Sequence, residues 1–83
     1  MMKPIAVEVD LEVKAGYVTY SDSKVAEPRD IWEEGTVAAD LDSEGCIIGI
    51  EVLGLDSETL LRAREYAEKN DLVFPPMLDL AAS

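Results

Sequence analysis

The stretch from Gly35 to Leu53, GTVAADLDSEGCIIGIEVL, constrains the fold of this chain more than any other segment. Two runs rich in apolar and β-branched residues, Thr36–Leu41 and Cys46–Leu53, flank a short acidic segment. Such runs favour strands, and a glycine at position 45 supplies the positive φ that tight turns need. The segment therefore predicts a β-hairpin whose turn is Asp42-Ser43-Glu44-Gly45.

Strict alternation predicts a further strand near the N-terminus. The odd positions from Ile5 to Val13 are all apolar, while the even positions are Ala6, Glu8, Asp10 and Glu12. In a strand, successive side chains point to opposite faces of the sheet. We therefore expect a half-buried strand with an acidic face in solvent.

Two more strands are predicted between this strand and the hairpin. Tyr17–Tyr20 is a short run of aromatic and β-branched residues. The segment Lys24–Trp32 also has strand character, but Pro28 lacks a backbone N–H. Proline is tolerated at sheet edges and bulges, so this segment is expected at an edge.

The C-terminal third of the chain predicts one helix followed by an extended tail. Asp56 or Ser57 can cap a helix from about Glu58 to Lys69, with apolar residues on one stripe. Pro75-Pro76 then prevents further helix. The predicted fold class is α+β: a four- or five-stranded antiparallel β-meander, one helix on a face, a domain of residues 1–74 and an extended tail of 75–83.

Charge and composition restrict the function classes. Eighteen acidic residues against seven basic ones give a net charge of -11. Such a chain repels phosphate, so nucleic acid and anionic membranes are not expected partners. There is no histidine and one cysteine, Cys46, so histidine-dependent catalysis and an intrachain disulfide are excluded. We expect a cytoplasmic, non-enzymatic protein without a secretory leader or a cofactor.

One motif raises the question of a metal site. Asp40, Asp42, Glu44 and Gly45, with Glu51 further on, fit the spacing of an EF-hand calcium loop. An EF loop lies between two helices, whereas both flanks here predict strands. The sequence therefore favours an acidic hairpin turn, and no metal site is predicted.

The remaining candidate surfaces concern protein contacts. The carboxylates predicted to form an acidic surface are Glu8, Asp10, Glu12, Asp40 and Asp42; a solvated sheet face is the simpler interpretation. Trp32 is predicted as an interface anchor or, equally, as a core residue. Phe74, Met77 and Leu78 complete the predicted interface. The tail segment Met77–Leu80 either docks on a neighbouring subunit or folds back on its own sheet.

These residues resemble a known family. The run from Asp10 to Leu53 is similar to the domain of unknown function 2283, a family of small bacterial, archaeal and phage proteins. The resemblance rests on an opening, a middle and a hairpin motif: Asp10, Tyr17 and Val18; Lys24-Val25-Ala26-Glu27 with Asp30-Ile31; and Asp40, Asp42, Gly45, Gly49, Ile50 and Glu51.

The departures from the family pattern are Val9, Lys14 and Gly16. The resemblance implies a small β-meander with a helix, an oligomer, no established activity, and occurrence in phage and mobile elements. It adds no site residue to those given above.

Two hypotheses follow. The first is a small acidic cytosolic protein that acts by self-association, as a homodimer, and by protein–protein contact. The alternative is a phage-type inhibitor, anti-defence or antitoxin-like, whose acidic surface imitates nucleic acid and blocks a basic protein.

Overall fold

The computed structural model describes residues 1–33, 35–76 and 78. Five strands come first: β1 (Ala6–Asp10), β2 (Ala15–Thr19), β3 (Glu27–Trp32), β4 (Val37–Leu41) and β5 (Ile47–Val52). One helix, α1 (Ser57–Lys69), follows them. The strands form one sheet in which every pair is antiparallel, so the predicted fold class is confirmed.

The strand order is β1-β2-β5-β4-β3, which places the last strand at the centre of the sheet. This order departs from a purely sequential meander, since β2 pairs with β5 rather than with β3. The physical reason is the composition of the strands. β5 carries four large aliphatic side chains, and Ile50 and Val52 among them are fully buried, whereas β3 contains Pro28 and lies at the edge as predicted.

β1 is shorter than the alternation predicted. It ends at Asp10, whose Oδ1 accepts hydrogen bonds from the backbone N–H groups of Glu12 and Val13. Lys14 then adopts a positive φ of 55° and reverses the chain into β2. The predicted strand over Ile5–Val13 is therefore wrong beyond Asp10, because a local turn replaces the pairing there.

Local capping fixes both ends of α1. At the start, Asp56 accepts from the Thr59 N–H at 3.1 Å and from the Thr59 hydroxyl at 2.8 Å. At the end, Asp71 has a φ of 65°, while the Leu72 N–H donates to the carbonyl of Ala67. This is a Schellman-type end, and it turns the chain back towards the sheet.

The core lies between α1 and one face of the sheet. α1 packs against β4 and β5, and its buried side chains meet those of Val18, Ile50 and Val52. The chain after α1 pairs with the N-terminal segment, since the Met2 N–H donates to Asp71 and the Val73 N–H donates to Met2. In the described part of the chain, no helix is long and apolar enough to cross a bilayer.

Candidate protein-contact surface

The face of the sheet opposite α1, here called the open face, carries a row of aligned side chains. The strand registers bring Glu8, Tyr17, Glu51, Ala38 and Asp30 side by side, one from each strand. A second row beside it contains Asp40. The charged side chains that the five strands place on this face are all carboxylates: Glu8, Asp10, Asp30, Asp40 and Glu51.

Tyr17 crosses this face and joins three strands. Its hydroxyl donates to Oδ2 of Asp40 at 2.7 Å, passing over Gly49 of the central strand. A methyl group at Gly49 would overlap the Tyr17 hydroxyl, so only glycine leaves room for this path. We call the three residues the tyrosine latch, because they tie β2 to β4 across β5.

The latch also holds Tyr17 in its neutral form. Partial burial is the main cause, and the hydrogen bond to Asp40 adds to it. The carboxylates of Asp40, Glu51 and Glu8 act in the same direction by repelling a phenolate. Together they raise the pKa of Tyr17 above its ordinary value, so this residue serves as a hydrogen-bond donor and not as a base.

Three of the five carboxylates predicted to form an acidic surface lie together on the open face, namely Glu8, Asp10 and Asp40. Glu8 and Asp10 line a shallow depression with Tyr17 and Glu51, and Asp40 lies beside it in the latch. Glu12 follows β1 in the turn. Asp42 belongs to the hairpin turn instead.

The hairpin turn is built as the sequence predicts. Oδ1 of Asp42 accepts from the N–H groups of Glu44 and Cys46, each at 2.9 Å, and Gly45 has a φ of 82°. Glu51 lies within β5, on the open face beside Tyr17. Asp42 thus caps a turn between strands. Among the described residues, no cluster of three or more acidic or cysteine side chains has the arrangement of a metal site.

The two edges of the sheet differ in how they are protected. On β3, Pro28 lacks an N–H, the register shifts between Asp30 and Trp32, and Arg29 pairs with Glu27 at 3.1 Å. Proline, bulges and charges are the devices by which edge strands avoid pairing with other chains. The β1 edge has an unbroken register from Ala6 to Asp10 and neither proline nor a cation within the strand.

Exposed apolar side chains concentrate near β1. Nine large hydrophobic residues of the described chain are exposed, and six of them lie within residues 1–13. Leu11 and Val13 are 66% and 68% exposed, and Leu53 is 55% exposed. Since Gly16 pairs with Val52, the β1–β2 turn and the exit of β5 lie at the same end of the sheet. We call Leu11, Val13 and Leu53 the apolar end.

The predicted interface residues lie elsewhere. Phe74 is buried in the core, and Leu78 is 0% exposed, so neither presents a free surface. Trp32 is partly buried against the core, with the guanidinium of Arg62 5.5 Å from the centre of its ring. Met77 lies outside the described residues.

The tail folds back because a turn follows the prolines. The Leu78 N–H donates to the carbonyl of Pro75 at 3.3 Å, so the chain does not stay extended there. Leu78 then covers β2: a methyl group on Gly16 would lie 3.2 Å from its Cδ2. Leu78 therefore packs on the sheet of its own chain, which is the second of the two alternatives predicted for the tail.

The sequence patterns did not indicate two features of this surface. The tyrosine latch depends on the pairing of β2 with β5, which no local pattern encodes. The apolar end was not predicted, because the alternation of apolar and polar residues indicated that Leu11 and Val13 are buried in a strand. The one available signal for the latch was Gly49, since a glycine inside an apolar strand marks a close approach.

The fold and its surfaces define a class, namely small α+β proteins in which one helix covers one face of an open antiparallel sheet. The chain belongs to the family described as "Protein of unknown function (DUF2283)", whose model matches residues 6–55. That range contains all five strands and ends before α1. No curated protein and no solved structure matches the chain.

Proposed function

We propose that this protein acts without catalysis, by contact with other protein chains in the cytoplasm, and that it forms a homodimer. The observation that carries the proposal is the exposure of the apolar end, whose three aliphatic side chains are all more than half exposed. A chain of this size buries a modest share of its surface, so it gains stability by covering such groups. The single cysteine is consistent with a reducing compartment.

The dimer is assigned to the apolar end rather than to the residues first predicted. Phe74 and Leu78 already stabilise the core of their own chain, and Trp32 has a partner in Arg62. Leu11 and Val13 lie in a turn, and no element of the described residues covers their side chains. Burial of three such side chains supplies about 1.5–3 kcal/mol each when it is complete.

Light scattering after size exclusion tests this dimer. We expect twice the chain mass for the unaltered protein and a shift towards the single-chain mass for the double variant Leu11→Ser with Val13→Ser. Leu61→Ser on α1 is the matched control, because Leu61 is an exposed leucine at 47% on a different surface. A single-chain mass for the unaltered protein contradicts self-association, and a dimer that survives the double variant contradicts the assignment to the apolar end.

A second candidate function is a phage-type inhibitor, anti-defence or antitoxin-like, whose open face imitates nucleic acid and blocks a basic protein. Its specific support is that the charged side chains on the five strands' open face are all acidic. The net charge of -11 would draw a basic partner towards it. The contact would weaken steeply with salt.

Displacement of labelled DNA from purified basic nucleic-acid-binding proteins tests the second candidate. The protein should release the DNA at low salt, and Glu51→Lys should abolish that release. Glu65→Lys changes the net charge by the same amount on α1 and serves as the control. If charge reversal at Glu8, Asp10 and Glu12 leaves the release of DNA unchanged, the hypothesis that the protein imitates nucleic acid is wrong.

A further inference from the structure

The outer edge of β1 offers an unpaired strand to another chain. All of its residues except Val7 are exposed, and its register with β2 runs without interruption from Ala6 to Asp10. Within residues 1–33, 35–76 and 78, no strand lies on the side of β1 that faces away from β2. An edge of this kind forms backbone hydrogen bonds with an added strand.

The side chains of β1 specify the chemistry of that added strand. Val7 and Val9 point to the side of α1, where Val9 remains 36% exposed. Glu8 and Asp10 point to the open face, next to the carboxylate of Glu51 across Tyr17. A strand that pairs here therefore meets apolar groups on one side and carboxylates on the other.

A second copy of the same strand fits this edge poorly. If two copies of β1 pair antiparallel with full overlap, Glu8 lies directly opposite its own counterpart. A shift by two residues places Glu8 opposite Asp10 of the other copy in one direction; in the other direction Glu8 lies opposite Ala6, and the two Glu8 side chains are diagonal neighbours. Directly opposed like charges on one sheet face are destabilising, and the nearby Glu51 adds to the repulsion. A cationic strand turns the same positions into attractive pairs.

We propose that the β1 edge binds a strand of another protein in which basic and apolar residues alternate. Its apolar residues extend the row of Val7 and Val9, and its lysines or arginines meet Glu8 and Asp10. The backbone hydrogen bonds supply affinity, and the alternation supplies specificity. The site goes beyond the dimer at the apolar end, because it uses a different surface and a different partner.

Binding of short synthetic peptides to the full chain tests this site. The probe alternates lysine and valine; one control peptide alternates glutamate and valine, and another has the same lysines and valines in two blocks. We expect the alternating lysine peptide to bind, and both controls to bind at least about tenfold more weakly. Equal binding of the block peptide overturns the proposal, since charge alone would then explain the contact.

Variants locate the peptide on one edge. Glu8→Lys should weaken binding of the lysine peptide about fivefold or more and strengthen binding of the glutamate peptide. Asp30→Lys makes the same charge change on the open face of the opposite edge, and it should leave both affinities within about twofold. Equal losses for the two variants overturn the proposal in favour of contact with the whole acidic face.

A third variant tests the edge itself. Val9→Lys places a charge in the apolar row, which is a common device for blocking an edge strand. It should abolish binding of the lysine peptide while the dimer mass stays unchanged. Persistence of binding overturns the proposal. Since the mass measurement reports on the apolar end separately, failure of the dimer and failure of this site are distinguishable.

Discussion

The two edge strands of this sheet, β1 and β3, are both exposed to solvent, yet they differ in chemistry. β3 carries Pro28, a register shift before Trp32 and an ion pair between Arg29 and Glu27. β1 carries none of these within its length and has alternating apolar and acidic side chains. Exposure alone therefore does not define a contact site. The lack of a proline, a register shift and a cation on β1 is the basis on which we propose contact there.

The same asymmetry extends to the covering of the sheet. α1 packs over β4 and β5, so the β3 side of the core receives a whole helix. On the β1 side, Leu78 lies close to Gly16 of β2. The chain after α1, with Leu72, Phe74 and Leu78 in the core, thus adds to the cover that α1 supplies.

The largest effect is expected at Leu78. Leu78→Ala should lower the free energy of unfolding by about 2–5 kcal/mol, because it opens a cavity over β2. Leu61→Ala removes the same atoms from an exposed site on α1 and should change stability by less than about 0.5 kcal/mol. Urea denaturation of both variants measures the difference. A small loss at Leu78 would show that the β1 side is covered by something else.

The raised pKa values of Tyr17 and Tyr20 predict that the folded protein loses stability at alkaline pH. The pKa of Tyr17 is raised, and burial raises the pKa of Tyr20 to about 12. Above pH 10 the unfolded chain releases these protons while the folded chain retains them, so stability falls by at most about 1.4 kcal/mol per pH unit for each tyrosine. Urea midpoints should be flat up to about pH 10 and fall beyond it. Tyr20→Phe should reduce the slope; an unchanged slope contradicts this origin.

The tyrosine latch connects the β1 side to the β3 side. Tyr17→Phe removes the donor to Asp40 and should cost about 1 kcal/mol. Combined with Asp40→Ala, which removes the acceptor, it should give less than the sum of the single effects, because both changes break the same bond. Strictly additive losses in urea denaturation would mean that the bond contributes nothing to stability.

The smallest effect is expected from opening the protected edge. Pro28→Thr gives β3 a backbone donor and a β-branched side chain, so it should add weak association at high protein concentration. Pro4→Thr, outside the sheet, is the matched control. Light scattering as a function of concentration compares the two. If Pro28→Thr behaves like the control, proline is not what protects this edge.

Sequence patterns predicted the hairpin, the helix and the edge position of β3, because local chemistry decides each of them. Asp42 and Gly45 shape the turn, Asp56 starts α1, and Pro28 excludes a central position. The sequence patterns did not predict that β5 lies between β2 and β4 in the sheet. That pairing places a neighbouring strand along each edge of β5, the strand with four large aliphatic side chains, which is a property of the whole sheet.

The candidate site was predicted in part for the same reason. Glu8 and Asp10 share a face because alternation fixes it within one strand. Tyr17 and Asp40 meet only through the register of three strands. Two prolines predict an extended tail, which would make Leu78 available for an interface. The turn at Pro75 instead returns Leu78 to the core.

Amide hydrogen exchange with and without the alternating lysine–valine peptide tests the central claim most directly, because it reports on both edges in one experiment. We expect slower exchange at the amides of β1, Ala6–Asp10, when the peptide is present, and no change along β3, Glu27–Trp32. Equal protection of both edges, or protection of β3 alone, would contradict the claim that β1 is the contact edge.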